Sequence, residues 1–174
     1  MSMRTLRKNN QNLKYAYQIG EVEQYETDEQ GNIKYVVSYV DDNGNVYYET
    51  DINGNRIPIT TGEKEIIYCE PVSFQANISE QTGGDAQALP NGISTQDYEA
   101  TILYQKGAFP LKEGTLIWKG EPEYEYNGEA VTITLDDGTT ITQKIVKETS
   151  ADYRIIKLSD SLNYTLAILK AMNK

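Results

Sequence analysis

Three short segments place oxygen-bearing side chains at metal-like spacing: Asp28-Glu-Gln-Gly-Asn32, Asp41-Asp-Asn-Gly-Asn45 and Asp51-Ile-Asn-Gly-Asn55. A calcium loop of the helix-loop-helix type needs oxygen ligands at its first, third and fifth positions, glycine at the sixth and a bidentate acid at the twelfth. With Gly44 at the sixth position the loop would begin at Tyr39 and end at Thr50. With Gly54 it begins well, with Glu49, Asp51 and Asn53, but ends at Thr60, and with Gly31 it ends at Val37. None closes on an acid. The three segments read instead as hairpin turns, because Gly, and Asn beside it, tolerate the positive φ that tight turns require.

The other chemistry-bearing residues fare similarly. Carboxylates are paired in turns (Asp41-Asp42, Asp136-Asp137) or along one charged edge (Glu121, Glu123, Glu125), where solvent surrounds them. Glycoside hydrolysis needs one acid with a raised pKa inside a pocket, and these positions do not offer it. Cys69 lies in the apolar strand Glu65-Ile-Ile-Tyr-Cys69, and the chain has no histidine to activate it, so an inert buried thiol is expected. A lone cysteine also excludes an internal disulfide and a cysteine-built zinc site. Gly83-Gly84 is followed by neither a Lys-Ser/Thr pair nor a helical pattern, so it is not a phosphate loop. Trp118 and the 14 tyrosines are candidates for a sugar-binding face, although cross-strand packing is the commoner use of such residues. No active site, metal or cofactor is expected.

These residues must be held by strands. Lys34–Val40 and Val46–Glu49 are β-rich and flank the Asn-Gly turn at 41–45, so residues 20–70 read as a meander of exposed hairpins. Val72–Ile78 alternates with period two, as do Asp97–Tyr104 and Tyr153–Leu158. Phe109–Gly114 turns into the strand Thr115–Trp118, and Ala130–Leu135 with Thr139–Val146 forms a hairpin about Asp136-Asp-Gly138. Ser79–Ser94 is long, polar and glycine-containing, and reads as a loop of functional length. Near the C-terminus Leu162, Leu166 and Leu169 share a helical face behind Ser159 or Asp160 as N-cap, while Tyr164, Leu166 and Ile168 alternate. The spacing favours a short helix over 159–171, with a strand as the alternative.

At 174 residues, with 39% hydrophobic and 24% charged, one globular domain spanning 1–174 is expected, with room for an elaborate insertion. The net charge of −10 is uneven. Residues 1–18 hold Arg4, Arg7, Lys8 and Lys14 and no acid, whereas the stretch between this segment and residue 152 holds 8 bases and 24 acids. Such a body repels a phosphate backbone. No membrane span is expected, nor a cleaved leader, since no apolar run follows the first basic residues. The chain is expected to be made in the cytoplasm. Residues alone thus give an acidic, non-enzymatic all-β domain with long appendages.

Four segments in order resemble the small head-tail connector, or head-closure, proteins of tailed phages with siphovirus-type necks. They are Met3–Asn10 running into Leu13–Gly20; Glu70–Ser79, ending in Ala-Asn-Ile-Ser; Leu111–Trp118, with Glu-Gly-Thr-Leu-Ile-Trp; and Asp152–Asn163 followed by Ala167–Lys170. Residues 21–65, a longer first hairpin, and 121–150, an extra hairpin, depart from the family pattern. The resemblance implies a small β-barrel or sandwich closed by a C-terminal β-hairpin. It also implies a virion protein: a ring of identical subunits between a portal or adaptor protein and a tail terminator or tail-tube protein. Packaged DNA would pass through its lumen without specific binding. Within that expectation the basic arm 1–14 (Arg4, Leu6, Arg7, Lys8, Lys14) is a docking element. The loop 80–96 (Gly83, Gly84, Asp85, Pro90, Asn91, Gly92) faces the lumen or an adjacent ring. The alternative reading is a virion-associated or cell-surface carbohydrate-binding β-module using Trp118 and exposed tyrosines.

Overall fold

Side chains that alternate between apolar and polar along a run can bury one face of a pleated strand, and most of this chain is written that way. The computed structural model describes residues 10–80 and 99–172. Its strands are β1 (Gln11–Ala16), β2 (Gln18–Tyr25), β3 (Val37–Val40), β4 (Val46–Tyr48), β5 (Thr60–Tyr68) and β6 (Val72–Glu80). They continue as β7 (Ala100–Gln105), β8 (Leu116–Trp118), β9 (Ala130–Thr134), β10 (Thr140–Lys144), β11 (Tyr153–Asp160) and β12 (Tyr164–Ala171). No α-helix occurs among the described residues. The chain divides into two compact units, a barrel unit (1–19, 68–133, 141–174) and a hairpin unit (20–67, 134–140).

The barrel unit closes six strands in the order β1-β6-β7-β12-β11-β8, every neighbour antiparallel and β8 pairing back onto β1. Closure removes sheet edges, and it turns one face of every strand inward. Period two then decides the core. Leu13 and Tyr15 from β1, Phe74, Ala76 and Ile78 from β6, and Ala100, Ile102 and Tyr104 from β7 belong to one buried cluster. Ile117, Tyr153, Ile155, Ala167 and Leu169 complete the circuit. Each fully buried aliphatic side chain contributes ~1.5–3 kcal/mol relative to leaving it in water.

β8 departs from alternation, because Leu116, Ile117 and Trp118 are all buried. Only Ile117 belongs to the interior cluster, so Leu116 and Trp118 lie on the opposite face under other cover. The Trp118 indole N–H donates to Ser150 Oγ at 2.9 Å, and Ser150 in turn donates to the Lys147 carbonyl at 2.7 Å. The Glu123 amide also donates to Ser150 Oγ, at 3.2 Å. Residues 121–151 therefore do more than carry the β9–β10 hairpin: they bind the second face of β8.

The segment 159–171 is a strand pair and not a helix. β11 and β12 pair from Tyr153↔Ala171 to Asp160↔Thr165, with an irregularity between Ile155 and Lys157. Leu162, which the leucine spacing placed on a helical face, is 92% exposed in the connecting turn. The inward residues of β12 are Thr165, Ala167 and Leu169, and the buried Thr165 hydroxyl donates to Asp160 at 2.6 Å. The alternation of Tyr164, Leu166 and Ile168 belongs to the other face, and the polar Thr165 masks the inward one. The C-terminal hairpin implied by the family resemblance is the arrangement found.

The hairpin unit branches. β2 and β5 form a two-stranded ladder, and β3 and β4 another. Between them the backbone makes two closed cycles. Glu26 N–H donates to the Ile59 carbonyl (2.8 Å), Ile59 N–H to Lys34 (2.9 Å), and Lys34 N–H back to Glu26 (2.8 Å). Further along, Val36 N–H donates to Ile57 (2.9 Å), Ile57 N–H to Glu49 (3.0 Å), and Glu49 N–H back to Val36 (2.9 Å). At each cycle three strand segments meet and two new ladders depart. The branches end in the turns at 28–32, 41–45 and 51–55.

Candidate functional site

The three Asp-x-x-Gly-Asn turns share one geometry. Asp41 Oδ1 accepts from the amides of Asn43 (3.0 Å) and Asn45 (2.8 Å), and the Asn45 side-chain amide donates to Asp41 Oδ2 at 2.8 Å. Asp28 with Gln30 and Asn32, and Asp51 with Asn53 and Asn55, repeat the pattern. The glycines take φ of +85°, +84° and +84°, which explains their place in the motif. Donation from Asn32 and Asn45 side chains and backbone holds the Asp28 and Asp41 carboxyls below the usual range, and the Asn55 amide does the same for Asp51. The aspartates spend their acceptors on the turn itself. No metal-competent cluster of three or more ligands occurs among the described residues.

Aromatic and apolar groups cover the branch between these turns. Tyr39 and Tyr47 stand opposite each other across β3 and β4, stacked at 4.5 Å with planes 7° apart. Arg56 lies over the Tyr48 ring at 4.4 Å, and Tyr48 meets Tyr35 edge-on at 6.0 Å. Val37, Tyr39, Val40, Val46 and Tyr47 are all exposed. Only Ile67 and Leu135 of this unit are buried hydrophobics. A Cβ at Gly20 would sit 2.7 Å from Leu135 Cδ1, so glycine lets the leucine lie against the β2 backbone. Lys64 ties the same corner together through ion pairs with Asp136 and, at 3.7 Å, Glu21.

Charge divides along the same boundary. The hairpin unit holds 13 acids and 3 bases, and the barrel unit 13 of each. The whole net charge of −10 is carried by 55 residues. At that density the unit attracts cations and basic polypeptide and repels nucleic acid and anionic lipid.

Among the described residues of the barrel unit, several titratable groups are locked in structural pairs. Glu80 accepts from the Tyr153 hydroxyl at 2.7 Å and pairs with Lys119, whose ammonium, with Tyr153, lowers the Glu80 pKa. Glu148 pairs with Arg154 and lies 3.2 Å from the Tyr68 hydroxyl. Burial, reinforced by Glu148, pushes Tyr68 up to about 12. Cys69 is half-buried, and desolvation pushes its thiol up, away from the thiolate form that a nucleophile needs. A cleft of about 460 Å³ lined by Glu148, Arg154, Ile156, Lys170 and Met172 lies beside this network.

Several expected site residues find a definite place. Lys14, assigned to a basic arm spanning 1–14, sits in β1, so residues 11–14 belong to the barrel wall, and its ammonium pairs with Glu121. Trp118 is 1% exposed and hydrogen-bonded, so it does not line a sugar-binding face. Arg4, Leu6, Arg7 and Lys8 lie outside the described residues, as do Gly83, Gly84, Asp85, Pro90, Asn91 and Gly92. Sequence reasoning missed the Tyr39–Tyr47 stack, although its signal was present: once the turn at 41–45 is fixed, register places the two rings opposite each other. The Glu80–Tyr153–Lys119 and Tyr68–Glu148–Arg154 networks join residues far apart in sequence and left no such signal.

Comparison with family models, with curated proteins and with solved structures gave no match to this chain.

Proposed function

We propose that this chain is a non-enzymatic structural protein of the neck of a tailed phage, forming a ring between portal or adaptor and tail that closes the head and receives the tail. The observation that carries this reading is where the family-like segments fall. They supply five of the six barrel strands, β1, β6, β8, β11 and β12. The two departures, 21–65 and 121–150, supply none. A barrel built from the family-like segments, with appendages outside them, is what a ring subunit needs, because identical head-to-tail contacts close by rotation while appendages meet different neighbours. The net charge of −10 supports passage of DNA without adhesion, since like charge denies the duplex its counterion-release gain.

Antibody-gold labelling of particles purified from the source, viewed by negative-stain electron microscopy, tests the proposal. Label confined to the head-tail junction is the expected result. Absence of the chain from particles by mass spectrometry would overturn it. Label at the tail tip would favour a glycan-binding module, a reading that retains the exposed Tyr39–Tyr47 stack but has lost Trp118.

A further inference from the structure

We infer that the hairpin unit is the docking site for the N-terminal segment, residues 1–9, of a second copy of this chain. This rests on the ring reading above and names the contact between neighbouring subunits.

The receiving surface is defined by three properties. It is acidic, with 13 acids against 3 bases in the unit. Its β3–β4 sheet has only two strands, so each has an open edge, and neither Val37-Ser-Tyr-Val40 nor Val46-Tyr-Tyr48 contains the lysine or proline that commonly blunts such edges. The exposed rings of Tyr39 and Tyr47 present stacked aromatic faces, and the half-buried Tyr48 beside them already holds a guanidinium, with Arg56 4.4 Å from its ring centre. Acidity rules out a nucleic acid or an anionic bilayer as occupant, and an open edge with aromatic faces suits an extended, arginine-bearing polypeptide.

The chain contains an arginine-bearing stretch of this charge. Residues 1–9 hold Arg4, Arg7 and Lys8 and no acid, with Met3 and Leu6 interleaved to meet apolar side chains. Without those residues the barrel unit holds 13 acids and 10 bases, so it offers no comparable basic excess of its own. The contact is heterologous, the segment of one copy on the hairpins of the next, which is the geometry that generates rings.

The test uses the full chain in sedimentation velocity, across protein concentration and from 50 mM to 500 mM salt. Two charge-reversed variants are compared with the wild type: R4E/R7E/K8E, and E29K/D42K/E49K, whose acids are not those that hold the turns. Wild-type self-association should weaken at least tenfold in either variant and with rising salt. Mixing the two variants should restore a one-to-one complex, because the acidic segment of one now meets basic hairpins on the other. A third variant, Y39S/Y47S, should weaken association with charge unchanged. Circular dichroism and the denaturant midpoint establish that each variant is folded. A wild type that stays monomeric, variants that associate as the wild type does, or a mixture that fails to pair would each overturn the inference. Gold labelling at the junction with swap-insensitive association would remove this contact and leave the neck reading standing. Swap-sensitive association without junction label would do the reverse.

Discussion

The barrel unit and the hairpin unit use the same strand-forming residues to opposite ends. In the barrel unit Leu13, Ile102, Leu116, Ile155 and Leu169 are almost wholly buried, and the bases match the acids in number. In the hairpin unit Val37, Val40 and Val46 stand in solvent and acids outnumber bases by more than four to one. β-branched and aromatic side chains thus raise local strand propensity in both places, but only closure converts that propensity into a core. In the hairpin unit order comes from turns and backbone cycles, which leaves side chains available to a partner.

Four experiments would break or sharpen this contrast. The largest effect is expected from Leu116→Ala, which opens a cavity at a site 0% exposed and should cost ~3–5 kcal/mol in urea unfolding. Val40→Ala should cost less than ~1 kcal/mol in the same assay. Equal costs would mean the hairpin unit has a hidden core.

Alkali comes next, and it should act on the barrel. Tyr68, Tyr15, Tyr104 and Tyr153 all have raised pKa values, chiefly through burial of the neutral phenol. A raised folded pKa means that the stabilisation is complete below the ordinary value of 10.0 and is lost as pH climbs through the folded one, about 12 for Tyr68. The urea midpoint should therefore hold to pH 10 and fall steeply by pH 12, more steeply than in Tyr68→Phe.

Leu135→Ala, at about 2–3 kcal/mol, removes one of the two buried hydrophobics in the hairpin unit. Amide exchange should accelerate through 20–67 while β6, β7 and β12 keep their protection. Loss of protection in the barrel strands would show that the units unfold together.

The smallest effect lies in acid. The turn aspartates Asp28, Asp41 and Asp51 have depressed pKa values, so their contribution is present above the ordinary value of 3.8 and is lost as pH falls through the lower folded values. Amide resonances of Asn32, Asn45 and Asn55 should shift together below that range. Asp41→Asn should shift the Asn45 transition alone.

Local patterns were legible where one face of a strand met the core. Val72–Ile78 and Tyr153–Leu158 could be read directly, and so could the three turns, because Gly with Asn beside it reports its own backbone conformation. Strand order could not be read, since pairing of β1 with both β6 and β8 joins residues that share no local signal. At 159–171 the spacing of Leu162, Leu166 and Leu169 suggested a helix where the resemblance implied a hairpin, and the inward Thr165, satisfied by Asp160, made the strand's buried face hard to see. Trp118 misled for the complementary reason. An aromatic residue on a short strand looks like a surface platform until the second layer, here Ser150 and its turn, is known to lie over it.

The two hydrogen-bonded cycles at Glu26–Lys34–Ile59 and Val36–Glu49–Ile57 have a bearing on how such a protein changes over time. Each is made from main-chain amides and carbonyls alone, so no particular side chain is required at a branch point. A tip can then lengthen, shorten or be replaced while its sister branches keep their register, in the way a forked scaffold accepts a new twig without reshaping its trunk. A peptide inserted between Asp42 and Asn43 would remodel one tip and leave the turns at 28–32 and 51–55 as they are. Such a unit is a ready place for foreign epitopes or new specificities to be grafted.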